Sequence, residues 1–108
     1  MDAQIKETLE NEIKSKKVFV YMKGTPDAPQ CGFSYNTINI VRSLGVDYGS
    51  RNVLADERYR QGIKELTSWP TIPQVFVNGE FIGGNDILTE MYQSGELHAK
   101  LGLAKQTA

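Results

Sequence analysis

Two apolar runs, Gln74-Val75-Phe76-Val77 and Glu80-Phe81-Ile82, are separated by the dipeptide Asn78-Gly79. A two-residue type I′ turn needs positive φ at both central positions, which Asn and Gly tolerate best, so this segment predicts an antiparallel β-hairpin. Upstream, Val18-Phe19-Val20-Tyr21-Met22 is a continuous run of β-branched and aromatic residues. That is the pattern of a strand covered on both faces, hence a central one. Ile5, Leu9 and Ile13 recur every four residues among Lys and Glu and predict a peripheral helix over about 2–15. Gly24, Pro26 and Pro29 break regular structure between Lys23 and Gln30. Helical spacing resumes after Cys31 through Tyr35, Ile38, Val41 and Leu44 until Gly45 stops it.

Val46 to Val53 predicts a second strand, and Glu57 to Ser68 a helix with Tyr59, Ile63 and Leu66 on one side. Gly83-Gly84 ends the hairpin, Asn85 or Asp86 is placed to cap the next helix, and Ile87, Leu88, Met91 and Tyr92 give that helix its apolar side. A further turn or two is expected near Glu96 to Leu101, and a frayed tail over 104–108. This order predicts an α/β fold with a mixed four-stranded sheet flanked by helices. With 108 residues, 40% hydrophobic and 23% charged, the chain fills one core and not two, so 1–108 is read as a single domain.

Charge and cysteine content narrow the function. Twelve Lys plus Arg against thirteen Asp plus Glu give a formal charge of -1, which leaves no positive excess for a phosphate backbone or an anionic membrane. No nucleic-acid or membrane partner is expected. No apolar run approaches the roughly 20 residues that span a bilayer, and Met1 to Lys17 holds nothing like a signal peptide. A cytoplasmic location is expected, with an organellar one open if a transit peptide has been removed. The single Cys31 cannot form an internal disulfide, and one Cys with one His cannot complete a four-ligand zinc or iron-sulfur site. Such chemistry needs a second molecule.

Three segments carry candidate chemistry. Cys31 stands where a loop meets a helix, and the unpaired N–H groups and positive dipole end there favour thiolate over thiol. Gly32 leaves room beside the sulfur, and Lys23 ends the preceding strand within reach of both the thiolate and an anionic ligand. The alternative is a small buried hydrophobe. In Trp69-Pro70-Thr71-Ile72-Pro73-Gln74, Pro73 cannot donate to a ladder and marks a strand start. A cis Ile72–Pro73 bond would turn the Ile72 N–H and C=O outward to pair with a bound peptide, whereas a trans bond would make an ordinary turn. Gly83-Gly84-Asn85-Asp86 leads into a helix whose N–H groups could hold a carboxylate while Asp86 pairs an ammonium; it reads equally as a helix cap.

Taken together, Met22-Lys23-Gly24-Thr25-Pro26 with Pro29, Cys31-Gly32-Phe33-Ser34, Trp69 to Gln74, and Val77 to Gly84 resemble the monothiol glutaredoxins of CGFS type, from about Ile5 to Leu97. The resemblance implies a thioredoxin-like fold, a cis Pro73, and glutathione bound across the cysteine, the Pro73 loop and the Gly-Gly turn. It implies Cys31 as the active-site thiol and metal ligand, and Lys23 and Arg60 on the glycine carboxylate. Ile72 and Pro73 would meet the cysteinyl part, and Gly84, Asn85 and Asp86 the γ-glutamyl end. A tripeptide with two carboxylates and one ammonium suits two cations, a helix N-terminus and one carboxylate. Asn85 departs from the family, which usually has Cys or Ser there, and so no second, resolving cysteine exists. Phe33 either covers the site or packs, Trp69 is read as support for its loop, and His98 as a solvated residue of the last helix.

Two functions of different class are compatible with these residues. The first is a carrier of a 2Fe-2S cluster. Four thiolate-type ligands are needed, and two copies of Cys31 with two glutathione thiols supply them in a homodimer. The resemblance adds BolA-like proteins and iron-sulfur apo-protein acceptors as partners. The second is a glutathione-dependent thiol-disulfide oxidoreductase that deglutathionylates proteins, with Cys31 as nucleophile. CGFS proteins resemble one another in being poor at that reaction.

Overall fold

The computed structural model describes residues 1–104. Its elements in chain order are α1 (Ala3–Ser15), β1 (Val18–Met22), β2 (Gly24–Thr25), β3 (Ala28–Pro29), α2 (Gly32–Ser43), β4 (Tyr48–Asn52), α3 (Glu57–Thr67), β5 (Gln74–Val77), β6 (Glu80–Gly83), α4 (Asn85–Ser94) and α5 (Glu96–Lys100). The main sheet has the order β4-β1-β5-β6. β1 runs parallel to β4 and antiparallel to β5, so the sheet is mixed, as expected, and β1 is central. Every residue of β1 is buried. Its alternation divides the core: Val18, Val20 and Met22 pack with Ile38, Val41, Leu88 and Leu97 under α2, α4 and α5. Phe19 and Tyr21 face Ile5, Leu9, Ile13 and Ile63 under α1 and α3.

The hairpin forms where the sequence places it. Asn78 and Gly79 take φ of 52° and 79°, both in the left-handed region that a type I′ turn requires. A register irregularity between Val75 and Phe76 then shifts the pairing to Val75↔Gly83. Gly83, at φ 130°, could not carry a side chain: a Cβ there would stand 2.9 Å from the Ile87 side chain.

Register also explains why one end of the strands carries the candidate chemistry. Tyr21 pairs with Gln74, so the end of β1 meets the start of β5, and Val75 pairs with Gly83, so the end of β6 lies there too. Lys23, Pro73 and Gly84 therefore leave the sheet at the same end of its strands.

Three expectations need correction. The segment between Lys23 and Gln30 is not wholly irregular, because β2 and β3 form a separate two-stranded ladder pairing Gly24 with Pro29 and Thr25 with Ala28. His98 is not solvated: it is 5% exposed, its ring 5.4 Å from that of Tyr92. α5 is a five-residue helix too short for a wet and a dry side, and it buries Leu97 and His98 in succession. Neither Asn85 nor Asp86 caps α4; Gly84 occupies the N-cap with no side-chain bond. The expected tail is described only at Ala104, which lies outside any helix or strand; 105–108 lie outside the described residues.

Candidate functional site

Cys31 is the N-cap of α2, in extended conformation with φ -155°, one position earlier than a first-turn residue. Its sulfur accepts from the Ser34 N–H at 3.3 Å and lies 3.3 Å from Ser34 Oγ. Ser34 is fully buried, and its oxygen already accepts from the Lys23 N–H at 3.1 Å. The hydroxyl proton is thus free to point at the sulfur, which suits a thiolate better than a thiol. Partial burial pushes the Cys31 thiol up, but the Ser34 hydroxyl, the N–H groups of Ser34 and Phe33 and the charge of Lys23 outweigh it, and the net shift is down. Cys31 is only partly buried. The small-hydrophobe alternative does not describe it.

Beside the sulfur runs a groove of about 510 Å³ lined by Lys23, Phe33, Arg60, Ile72, Pro73, Gly84, Asn85 and Asp86, among others. Cys31 does not line it; Lys23 and Phe33, its neighbours, do. Every residue singled out from the sequence for ligand binding thus converges on this one groove from the end of β1, α3, the loop before β5 and the start of α4. The Ile72–Pro73 bond is cis. Both residues are buried, and the ladder with β1 begins only at Gln74. Gln74 secures the loop from within, donating from Nε2 to the carbonyls of Trp69 at 3.0 Å and Thr71 at 3.2 Å.

Arg60 reaches the groove from α3, where Glu57 lies 3.6 Å from one guanidinium nitrogen. Its Nε is buried with no hydrogen-bond partner among the described residues. Phe33 is 65% exposed while lining the groove, so it covers the site rather than packing in the core. Trp69 does support its loop, edge-on to Phe81 at 5.6 Å between centroids, but it also lines the groove. Pro70 and Thr71 of the Pro73 loop line it too, as do Lys64 and Ile87, which no sequence motif singles out. Lys64 lies one helical turn from Arg60, a spacing that places both on one side of α3 and was available as a signal.

As a metal centre, one chain is insufficient. Among the described residues no three His, Cys, Asp or Glu side chains come close enough to hold a metal ion. What the chain does offer is one accessible sulfur with a lowered pKa beside a cationic groove. That donor set fits one quarter of a four-thiolate cluster, provided a second chain and two small thiols supply the rest.

Comparison with known proteins gives the family and the fold. The family model described as Glutaredoxin matches residues 18–82. A ycf64-like monothiol glutaredoxin of Synechocystis is 51% identical over 104 residues, 96% of this chain and 97% of that protein. Glutaredoxin-related protein 5, mitochondrial, of Danio rerio is 58% identical over 94 residues, which are 86% of this chain but only 61% of that longer protein. Among solved structures, reduced apo GrxS14 of poplar superposes with a TM-score of 0.80 at 49% identity, covering 91% of this chain and 90% of that one.

Proposed function

This chain belongs to the glutaredoxin family, among its monothiol members, and from that premise we propose that it binds glutathione in the groove and carries a 2Fe-2S cluster as cargo, shared between two copies. The observation that carries this reading is the meeting of Lys23, Arg60, Ile72, Pro73, Gly84, Asn85 and Asp86 around one groove next to Cys31. Lys23 and Arg60, with Lys64 as a third cation, attract the glycine carboxylate. The buried Arg60 Nε, without a partner among the described residues, gains one there. The Ile72 backbone pairs with the cysteinyl residue as a short added strand. The N–H groups that open α4 take the γ-glutamyl carboxylate, and the Asp86 side chain takes the ammonium.

So held, the glutathione thiol lies beside Cys31, and each chain presents two sulfurs. Two chains then close a four-thiolate set around the cluster, and release to an apo-protein acceptor follows when the acceptor's thiolates replace them. A BolA-like protein is a second proposed partner. We place the protein in an aqueous compartment, cytoplasmic or organellar; no helix among the described residues is long and apolar enough to cross a membrane.

A second reading is favoured by the lowered thiol pKa of Cys31. The thiolate attacks the glutathionyl sulfur of a protein mixed disulfide and releases the protein thiolate. A second glutathione thiolate then frees Cys31 and leaves as glutathione disulfide.

Calorimetric titration with glutathione tests the shared premise. Lys23→Ala is expected to weaken binding by about 1.5–3 kcal/mol. Affinity equal to that of the unaltered protein would remove Lys23 from the pose.

A further inference from the structure

Asn85 lines the groove, yet its side-chain oxygen is already taken. Oδ1 accepts from Asn36 Nδ2 at 2.7 Å and from Thr37 Oγ1 at 3.0 Å, both on α2. Asn36 Nδ2 also donates to Thr89 Oγ1 at 3.2 Å, and Thr89 in turn donates to the Asn85 carbonyl at 2.8 Å. Thr37 is fully buried. The four residues form one connected polar network between α2 and the first turn of α4, in which Asn36 Nδ2 and the Thr37 and Thr89 hydroxyls each donate to an acceptor. It joins the two helices whose starts carry the site, since α2 begins after Cys31 and α4 begins at Asn85.

We propose that Asn85 is a positioning residue: anchored through its side-chain oxygen to Asn36 and Thr37, it sets the spacing between the Cys31 sulfur and the N–H groups that open α4. A ligand that must touch both ends gains affinity from a spacing fixed in advance, because less ordering is left to binding. This rests on glutathione being that ligand.

The decisive variant is Thr37→Val, which keeps side-chain shape, removes one donor and alters no residue that lines the groove. Glutathione affinity, read by calorimetry, is expected to fall about fivefold, the equivalent of one hydrogen bond. Asn85→Ala is expected to fall at least as far, and the double variant no further than Asn85→Ala alone, since both act through one link. Urea denaturation in parallel separates this from a merely structural role, which would lower stability and leave affinity unchanged. A second readout is independent of any ligand: exchange of the Leu88 N–H, bonded to the Gly84 carbonyl at 3.1 Å, is expected to quicken in Thr37→Val while β1 amides hold their rates.

Affinity unchanged in Thr37→Val, or losses that simply add in the double variant, would overturn the proposal. If the unaltered protein failed to bind glutathione, the groove assignment would fall instead. The Leu88 exchange would then decide the anchoring alone, with an unchanged rate counting against it.

Discussion

Tyr59 and Arg60 are neighbours on α3 and belong to opposite kinds of polar surroundings. Behind Tyr59 the charges are closed upon themselves. The Arg51 guanidinium sits 3.8 Å from the Tyr59 ring centroid. Its Nε lies 3.0 Å from both Glu12 carboxylate oxygens, and a terminal nitrogen lies 2.7 Å from Oε2. The fully buried Tyr21 donates its hydroxyl to Glu12 Oε1 at 3.1 Å. Burial, reinforced by the Glu12 charge, pushes the Tyr21 phenol up, so it stays protonated and keeps donating. On the other side of α3, Arg60 Nε and Trp69 Nε1 are buried without partners among the described residues, and both residues line the groove.

The difference teaches where this molecule spends polar groups on holding itself together and where it leaves them for something else. Buried polar atoms without partners are rare, and two of the three found among the described residues belong to groove residues. The third, His98 Nδ1, belongs to α5 and does not line the groove.

Mutation should pull the two regions apart. The largest effect is expected from Glu12→Ala, which strips Arg51 and Tyr21 of their acceptor at once. Urea denaturation should show a loss of about 2–4 kcal/mol, with glutathione affinity unchanged. A collapse of affinity with little loss of stability would erase the distinction. Arg60→Ala should do the reverse, weakening glutathione by about 1.5–3 kcal/mol while stability stays within about 0.5 kcal/mol. Tyr21→Phe sharpens the first half by deleting one hydroxyl from the closed network, for a loss of about 1 kcal/mol in the same denaturation.

Smallest is Ser34→Ala, in which the pH midpoint of Cys31 alkylation should move up toward that of an ordinary thiol. The sign follows from a folded thiol that ionises at lower pH than in the unfolded chain. Thiolate formation favours the folded state above the unfolded-chain pKa, and that increment disappears as pH falls through the folded value. An unmoved midpoint would assign the lowering to the N–H groups and Lys23 instead of the hydroxyl.

Features set by local chemistry were the ones legible in the sequence. The Asn78-Gly79 turn, the fully covered β1 run and the start of α2 at Cys31 each follow from a few adjacent residues, and each stands within a residue or so of its expected place. What escaped depends on residues far apart in the chain. Asn85 reads as a cap because nothing local shows that Asn36 and Thr37, 49 and 48 positions earlier, hold its oxygen. His98 reads as solvated because a five-residue helix shows no periodicity from which burial could be judged. The β2–β3 ladder lies between prolines and glycine that signal only interruption. The residues chosen as the ligand site do meet in space, but their convergence rests on sheet register, which no single motif displays.

Whether two copies of this chain share a cluster is decided by anaerobic reconstitution with iron, sulfide and glutathione, followed by native mass spectrometry. A coloured species is expected at twice the chain mass, carrying two glutathiones, two irons and two sulfides, and absent in Cys31→Ser. A colourless monomer that reduces glutathionylated protein at a useful rate would contradict it and make Cys31 a catalytic nucleophile.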